Sequence, residues 1–81
     1  MEIRVHFFGR TREVAGLAEE RLGLPEGTTV AEAADRLAER HPGLAAHLAR
    51  CSFAVNESYA GRDARLAAGD ELAVIPPIGG G

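Results

Sequence analysis

The chain ends in a run of rigid and then very small residues, Pro76, Pro77, Ile78, Gly79, Gly80 and Gly81. Glycine has no side chain and loses the most backbone entropy on ordering, so the final run is not expected to pack. The prolines lack amide donors and should end the strand before them. We therefore predict a domain over residues 1–77 and a thin, flexible tail over residues 78–81. Such a tail could carry its terminal carboxylate into a channel too narrow for other residues, whereas a frayed terminus needs no glycine.

Other residues that could do chemistry are not spaced for it. Cys51 is the one cysteine, which precludes an internal disulfide and fits a reducing, cytoplasmic location. It precedes an apolar strand, so a structural thiol is favoured over a nucleophile. His6, His41 and His47 have no metal-ligand spacing with one another or with Cys51. We therefore predict no metal site, no bound cofactor and no enzyme acting alone.

Composition excludes several partner classes. The net charge is −3 without a basic run, which argues against nucleic acid. No apolar run approaches the roughly 20 residues that span a bilayer, and polar residues interrupt the amino-terminal apolar positions, so neither a membrane segment nor a signal peptide is expected. All nine basic residues are arginine. Codon bias explains the absence of lysine. The absence still has a chemical consequence, because the chain has no lysine amine to attack an activated carboxylate.

The elements that must position the tail begin with a strand and a hairpin. Ile3, Val5 and Phe7 alternate with polar residues over residues 1–8, which predicts a half-buried strand. Residues 10–15 are predicted to form one or two helical turns that stop at Gly16. A second strand over residues 20–24 should then pair with the first.

One helix has the clearest local signal. Thr29 followed by Glu32 is a capping box, and an apolar stripe continues from Val30 at helical spacing. Pro42 should end this helix and begin a shorter one. Strands are predicted again after Cys51 and over residues 71–75. This order indicates an α+β fold with helices on one face of a mixed sheet.

Strand parity predicts an exposed apolar patch beside the tail. If Ile3, Val5 and Phe7 face the core, Phe8 must face outward, and Ile75 must do so on the last strand. Should these strands be neighbours, Phe8, Tyr59 and Ile75 would form a partner-docking surface that continues into Pro76, Pro77 and Ile78. Isolated exposed apolar residues, however, are common.

Three segments resemble the small subunit of molybdopterin synthase: FFGRTREVAG at residues 7–16, VNE at residues 55–57, and LAAGDELAVIPPIGGG at residues 66–81. The last is specific, with G-D-E, an apolar strand, Pro-Pro, an aliphatic residue, a spacer and Gly-Gly. The resemblance implies a β-grasp, ubiquitin-like fold and a sulfur carrier in molybdenum cofactor biosynthesis.

The resemblance also implies the chemistry and the partners. An adenylyltransferase of the E1-like type, using ATP and magnesium, would convert the Gly81 carboxylate to an acyl-adenylate. A sulfur donor protein would then leave a thiocarboxylate. Inserted into the large subunit of a heterotetramer, this group would supply sulfur to cyclic pyranopterin monophosphate, with the catalytic side chains mainly in the large subunit and the reactive terminus from this chain.

Two alternatives stay open at this point. Related sulfur carriers that serve tRNA thiolation or thiazole synthesis share the fold and the Gly-Gly ending. A ubiquitin-like protein modifier, or an inert interaction module, would come from a different functional class.

Overall fold

The computed structural model describes residues 1–78. It contains five strands and three α-helices in the order β1 (Glu2–Phe7), α1 (Gly9–Ala15), β2 (Glu19–Gly23), α2 (Val30–Arg40), α3 (Ala45–Leu48), β3 (Ser52–Val55), β4 (Ser58–Ala60) and β5 (Glu71–Ile75). A short 3₁₀ turn, Pro42–Leu44, precedes α3. The bounds of β1, α1, β2 and β5 agree with the predicted elements to within one or two residues, whereas the helix predicted to begin at Pro42 is a 3₁₀ turn up to Leu44 and α-helical only from Ala45.

The five strands form one mixed sheet in the order β2-β1-β5-β3-β4. The first and last strands, β1 and β5, lie side by side and run parallel, with Phe7 opposite Val74. The other neighbours are antiparallel. This is the β-grasp arrangement, so the predicted α+β fold is confirmed.

The core lies between one face of the sheet and the helices. The predicted inward residues of β1, Ile3, Val5 and Phe7, are at most 1% exposed. They pack in one cluster with Leu37 of α2 and with Leu44. The opposite face of the sheet is left without a covering layer among residues 1–78.

Helix α2 begins where the sequence predicts, because its free amides all find partners. The Thr29 hydroxyl accepts from the Glu32 amide at 3.2 Å, and the Glu32 carboxylate accepts from the Thr29 amide at 2.9 Å. The next two amides, of Val30 and Ala31, donate to carbonyls of the loop after β4 at 2.9 Å. The helix start is therefore closed by protein groups.

None of the helices within residues 1–78 is both long and apolar enough to cross a bilayer. The glycines at 79–81 lie outside the described residues, so the boundary between domain and tail stays a prediction.

Candidate functional site

The uncovered face of the sheet carries an apolar groove close to the point where the chain leaves β5. Its lining residues are Phe8, Ala54, Glu57, Tyr59, Ala73 and Ile75, which together we call the exposed-face groove; it encloses about 420 Å³. The three residues predicted for the docking patch, Phe8, Tyr59 and Ile75, all lie here. The structure thus brings them together from three separate parts of the chain.

Two alanines form the floor of this groove. Ala73 of β5 lies opposite Ala54 of β3, and Ala54 lies opposite Tyr59 of β4. Because methyl side chains stand low in the sheet, the larger side chains of Phe8 and Tyr59 stand above them. Phe8 is 50% exposed and Tyr59 is 78% exposed, so both present large apolar surfaces to solvent.

Phe8 is held outward by the start of α1. It is the residue before the helix and has an extended backbone, with φ −129° and ψ 157°. Its carbonyl accepts a hydrogen bond from the hydroxyl of the fully buried Thr11 at 2.6 Å. Since this bond holds the backbone of Phe8 in the turn from β1 into α1, it helps to keep the side chain of Phe8 on the outer face of the sheet.

Gly9 allows Pro76 to pass close to this same turn. The backbone of Gly9 has φ +52°, and a β-carbon built there would lie 3.0 Å from Cγ of Pro76. A residue with a side chain would be strained at that φ and would also press on the proline. Pro76 is half-buried, whereas Pro77 and Ile78 are exposed. The path of the chain beyond β5 therefore starts from a fixed point beside Phe8.

The turn between β3 and β4 is clamped to the start of β5. Asn56 and Glu57 have positive φ values of 50° and 71°. The Asn56 side chain accepts from the Glu71 amide at 2.9 Å and donates to the Asp70 carboxylate at 3.0 Å. Its own amide donates to the Glu71 carbonyl at 2.9 Å. This clamp fixes Glu57 at one end of the groove.

Charged groups border the groove on the same face. Glu71 forms an ion pair with Arg4 of the neighbouring strand. The ring of His6 lies between Glu19 and Glu71, with nitrogen-to-oxygen distances of 3.5 and 3.6 Å. The groove is thus apolar at Ile75 and Tyr59 and acidic at Glu57, with the Glu71 carboxylate just beyond it.

Several predicted residues lie elsewhere or need correction. The sequence alone indicates a solvated turn or strand-edge charge at Glu20, beside Glu19, but its side chain is only 8% exposed and accepts from Arg40 at 3.1 Å and from His41 at 2.6 Å. Glu71 begins β5, the central strand of the sheet, as predicted for residues 71–75, and its partly exposed side chain pairs with Arg4. Gly79, Gly80 and Gly81, the predicted reactive terminus, lie outside the described residues.

Sequence reasoning also missed residues of the groove. Alternation on β3 and β5 placed Ala54 and Ala73 on the outer face, but nothing in a single sequence pairs them with each other or with Tyr59. The positive φ of Glu57 could have been suspected from the Asn-Glu-Ser turn.

The remaining reactive groups belong to the framework. Cys51 is buried, its Sγ donates to the His47 carbonyl at 3.1 Å, and burial raises the pKa of its thiol. Over residues 1–78, no group of three or more histidine, cysteine, aspartate or glutamate residues is arranged to hold a metal ion.

Comparison with known proteins gives full-length matches. The model of the ThiS family matches residues 5–81. A molybdopterin synthase sulfur carrier subunit of Chlamydomonas reinhardtii is 36% identical over 83 residues, covering all of both chains. The protein of the same description from Arabidopsis thaliana is 38% identical over 81 residues, covering all of this chain and 84% of its own.

A solved structure agrees along the entire length. The crystal structure of SAMP1 from Haloferax volcanii superposes with a TM-score of 0.90 at 30% identity, covering all of both chains. The sheet and helices described above are therefore shared with a known protein as a complete fold.

Proposed function

The chain belongs to the ThiS family and to the family of molybdopterin synthase sulfur carrier subunits, and from this premise we propose that it carries sulfur on Gly81 for molybdopterin synthesis. The observation that carries the proposal is the match to sulfur carrier subunits over the whole chain, tail included. The position of the exposed-face groove beside the root of the tail supports it independently.

The proposed chemistry begins with activation of the terminal carboxylate. A carboxylate is a poor electrophile because its negative charge repels nucleophiles. A partner adenylyltransferase would join the Gly81 carboxylate to AMP from magnesium-bound ATP, with release of pyrophosphate. A hydrosulfide equivalent delivered by a sulfur donor protein would then attack the acyl carbon, displace AMP as the leaving group and leave a thiocarboxylate. ATP and magnesium belong to that partner, so this chain needs no cofactor site of its own.

Sulfur transfer would then take place in the large subunit of the synthase. The thiocarboxylate would supply its sulfur to cyclic pyranopterin monophosphate, and hydrolysis of the remaining acyl group would return the carboxylate. In this reaction the chain provides only its terminus. Residues 79–81 carry no side chains, so they can follow a channel too narrow for larger residues.

The exposed-face groove is the proposed docking surface for these partners. Phe8 and Tyr59 are large, half to mostly exposed, and stand over a floor of two alanines. Aromatic side chains at the centre of an interface commonly dominate its binding energy. Ile75, Pro76, Pro77 and Ile78 continue this surface toward the tail, so docking would also aim the terminus.

Removal of Gly81 tests the proposal. The deletion withdraws the terminal carboxylate by about 3.5 Å, the length of one extended residue. We expect adenylation and sulfur transfer to be lost while the unfolding midpoint stays unchanged. The full-length chain, assayed in parallel, is the control. Normal sulfur transfer by the shortened chain would contradict the tail mechanism.

A second candidate function, that of a ubiquitin-like protein modifier, is favoured by one comparison. SAMP1, the small archaeal modifier protein 1 of Haloferax volcanii, superposes on the chain with a TM-score of 0.90, as completely as the synthase subunits match it in sequence. A modifier would appear in cells as conjugates of higher mass whose formation needs the same terminus. Sulfur carriers for tRNA or thiazole would instead form the thiocarboxylate but fail to complete synthesis of molybdopterin with the large subunit.

A further inference from the structure

A second, smaller depression lies beside the exposed-face groove. It encloses about 150 Å³ and is lined by His6, Phe8, Glu57, Glu71 and Ala73; we call it the acidic depression. Three of these residues, Phe8, Glu57 and Ala73, also line the groove. A protein seated on the groove therefore covers the acidic depression as well.

Of the two carboxylates that line this depression, that of Glu57 is not neutralised by the chain itself. Glu71 is paired with Arg4. Within residues 1–78, no cationic nitrogen lies within 4 Å of the Glu57 carboxylate. The clamp of Asn56 on Asp70 and Glu71 holds the backbone of Glu57 in place, so this charge stays at the rim of the depression.

His6 does not supply the missing donors. Its ring contacts Glu19 on one side and Glu71 on the other, and its buried Nε2 has no hydrogen-bond partner within the described part of the chain. A neutral imidazole carries a single N–H, so it can donate to one of these carboxylates at most. If a docked protein covers the Glu57 carboxylate, this group loses water without gaining a counter-charge, which is costly.

We propose that the acidic depression receives an arginine side chain of the protein that docks on the exposed-face groove. Guanidinium is planar and presents paired N–H donors that match a carboxylate, and it stacks on aromatic rings. Glu57 and Glu71 offer the acceptors, and the half-exposed ring of Phe8 offers the stacking surface. This inference rests on the proposed function for the identity of the partner, but the chemistry of the site is a property of this chain.

The first test uses the chain alone. The amide and His6 ring resonances are followed by NMR at low ionic strength during titration with N-acetylarginine methylamide, and with the neutral citrulline analogue. We expect saturable shifts at His6, Glu57 and Ala73 with the arginine compound only, and at least a fivefold weaker response in Glu57→Gln, on the order of 1 kcal/mol. Equal responses to both compounds, or in both proteins, would overturn the proposal.

The second test uses the large subunit. Glu57→Gln should raise the Kd by about tenfold and reduce its dependence on salt. Glu39→Gln is the matched control, because it removes one negative charge from an exposed position on α2. The Kd of this variant for the large subunit should change by less than about twofold. Equal weakening of binding by the two variants would show that only the net charge of the chain affects the Kd, and it would overturn the proposal. If the unmodified chain does not bind the large subunit, the proposed function fails, while the NMR titration still decides the acidic depression.

Discussion

Gly9→Ala tests whether the contact between α1 and Pro76 determines where the tail leaves the domain. Gly9 has φ +52°, a conformation that costs a residue with a side chain about 1–2 kcal/mol. The new methyl would also lie 3.0 Å from Cγ of Pro76, so the proline must shift by a few tenths of an ångström. Forced packing of this kind costs about 1–3 kcal/mol. We expect a total loss of roughly 2–5 kcal/mol in the free energy of unfolding.

The chain offers a matched control for the backbone part of this cost. Gly16 has φ +80°, and a β-carbon there would meet nothing within 4 Å. Gly16→Ala should therefore lose only about 1–2 kcal/mol. For a domain of this size each kcal/mol lowers the Tm by roughly 4–8 °C, so the two variants are readily separated.

Urea unfolding and thiocarboxylate formation are measured on both variants and on Gly9→Ala combined with Pro76→Ala. Removing Cγ of Pro76 should recover about 1 kcal/mol as a coupling energy. Gly9→Ala should slow sulfur loading, because the tail root is displaced, whereas Gly16→Ala should not. The reasoning is refuted if the two glycine variants lose the same stability and load sulfur equally well, or if the Pro76→Ala background recovers nothing.

Three further predictions concern the docking surface, the helix cap and the thiol. Phe8→Asp or Ile75→Asp should weaken large-subunit binding by about 2 kcal/mol, as measured by calorimetric titration. Phe8→Asp should lower the free energy of unfolding by less than about 1 kcal/mol, as measured in urea. A large loss of stability with normal binding would instead identify these residues as part of the core. The pKa of Glu32 is lowered chiefly by the hydrogen bond from the Thr29 amide, so the stability that Glu32→Ala removes should be fully present above the ordinary value of 4.5 and vanish as pH falls through the lower folded-state pKa. Urea midpoints of both proteins across that pH range check it, and a constant difference would contradict it. Cys51 should react with a thiol reagent at least about a hundredfold more slowly than in the unfolded chain, and Cys51→Ala should keep sulfur transfer; rapid labelling of the native protein would refute the structural assignment.

Local and periodic signals predicted most of the fold. The capping box at Thr29 and Glu32 acts within one turn, so its residues alone determine it. Alternation on β1 and β5 correctly assigned Phe8 and Ile75 to the outer face, because successive strand side chains point to opposite faces.

Contacts between distant segments could not be predicted in the same way. Alternation tells which face a residue occupies but not which strand lies beside it, so the pairing of β1 with β5 was only a condition of the docking hypothesis. Glu20 appeared to be an ordinary surface charge because Arg40 and His41, its partners, lie 20 and 21 residues away. The contact between Pro76 and Gly9 could not be predicted for the same reason. Each residue alone indicates a turn, but they are far apart in the sequence and become neighbours only in the fold.

The proposed sulfur carrier function is tested most directly by intact mass spectrometry. The chain is incubated with its adenylyltransferase, ATP and magnesium, and a sulfur donor, then digested to locate any change. We predict a gain equal to one sulfur-for-oxygen exchange, confined to the carboxy-terminal peptide and absent without ATP. An unchanged mass, with an adenylyltransferase shown to be active on another carrier, would contradict the function proposed for Gly81.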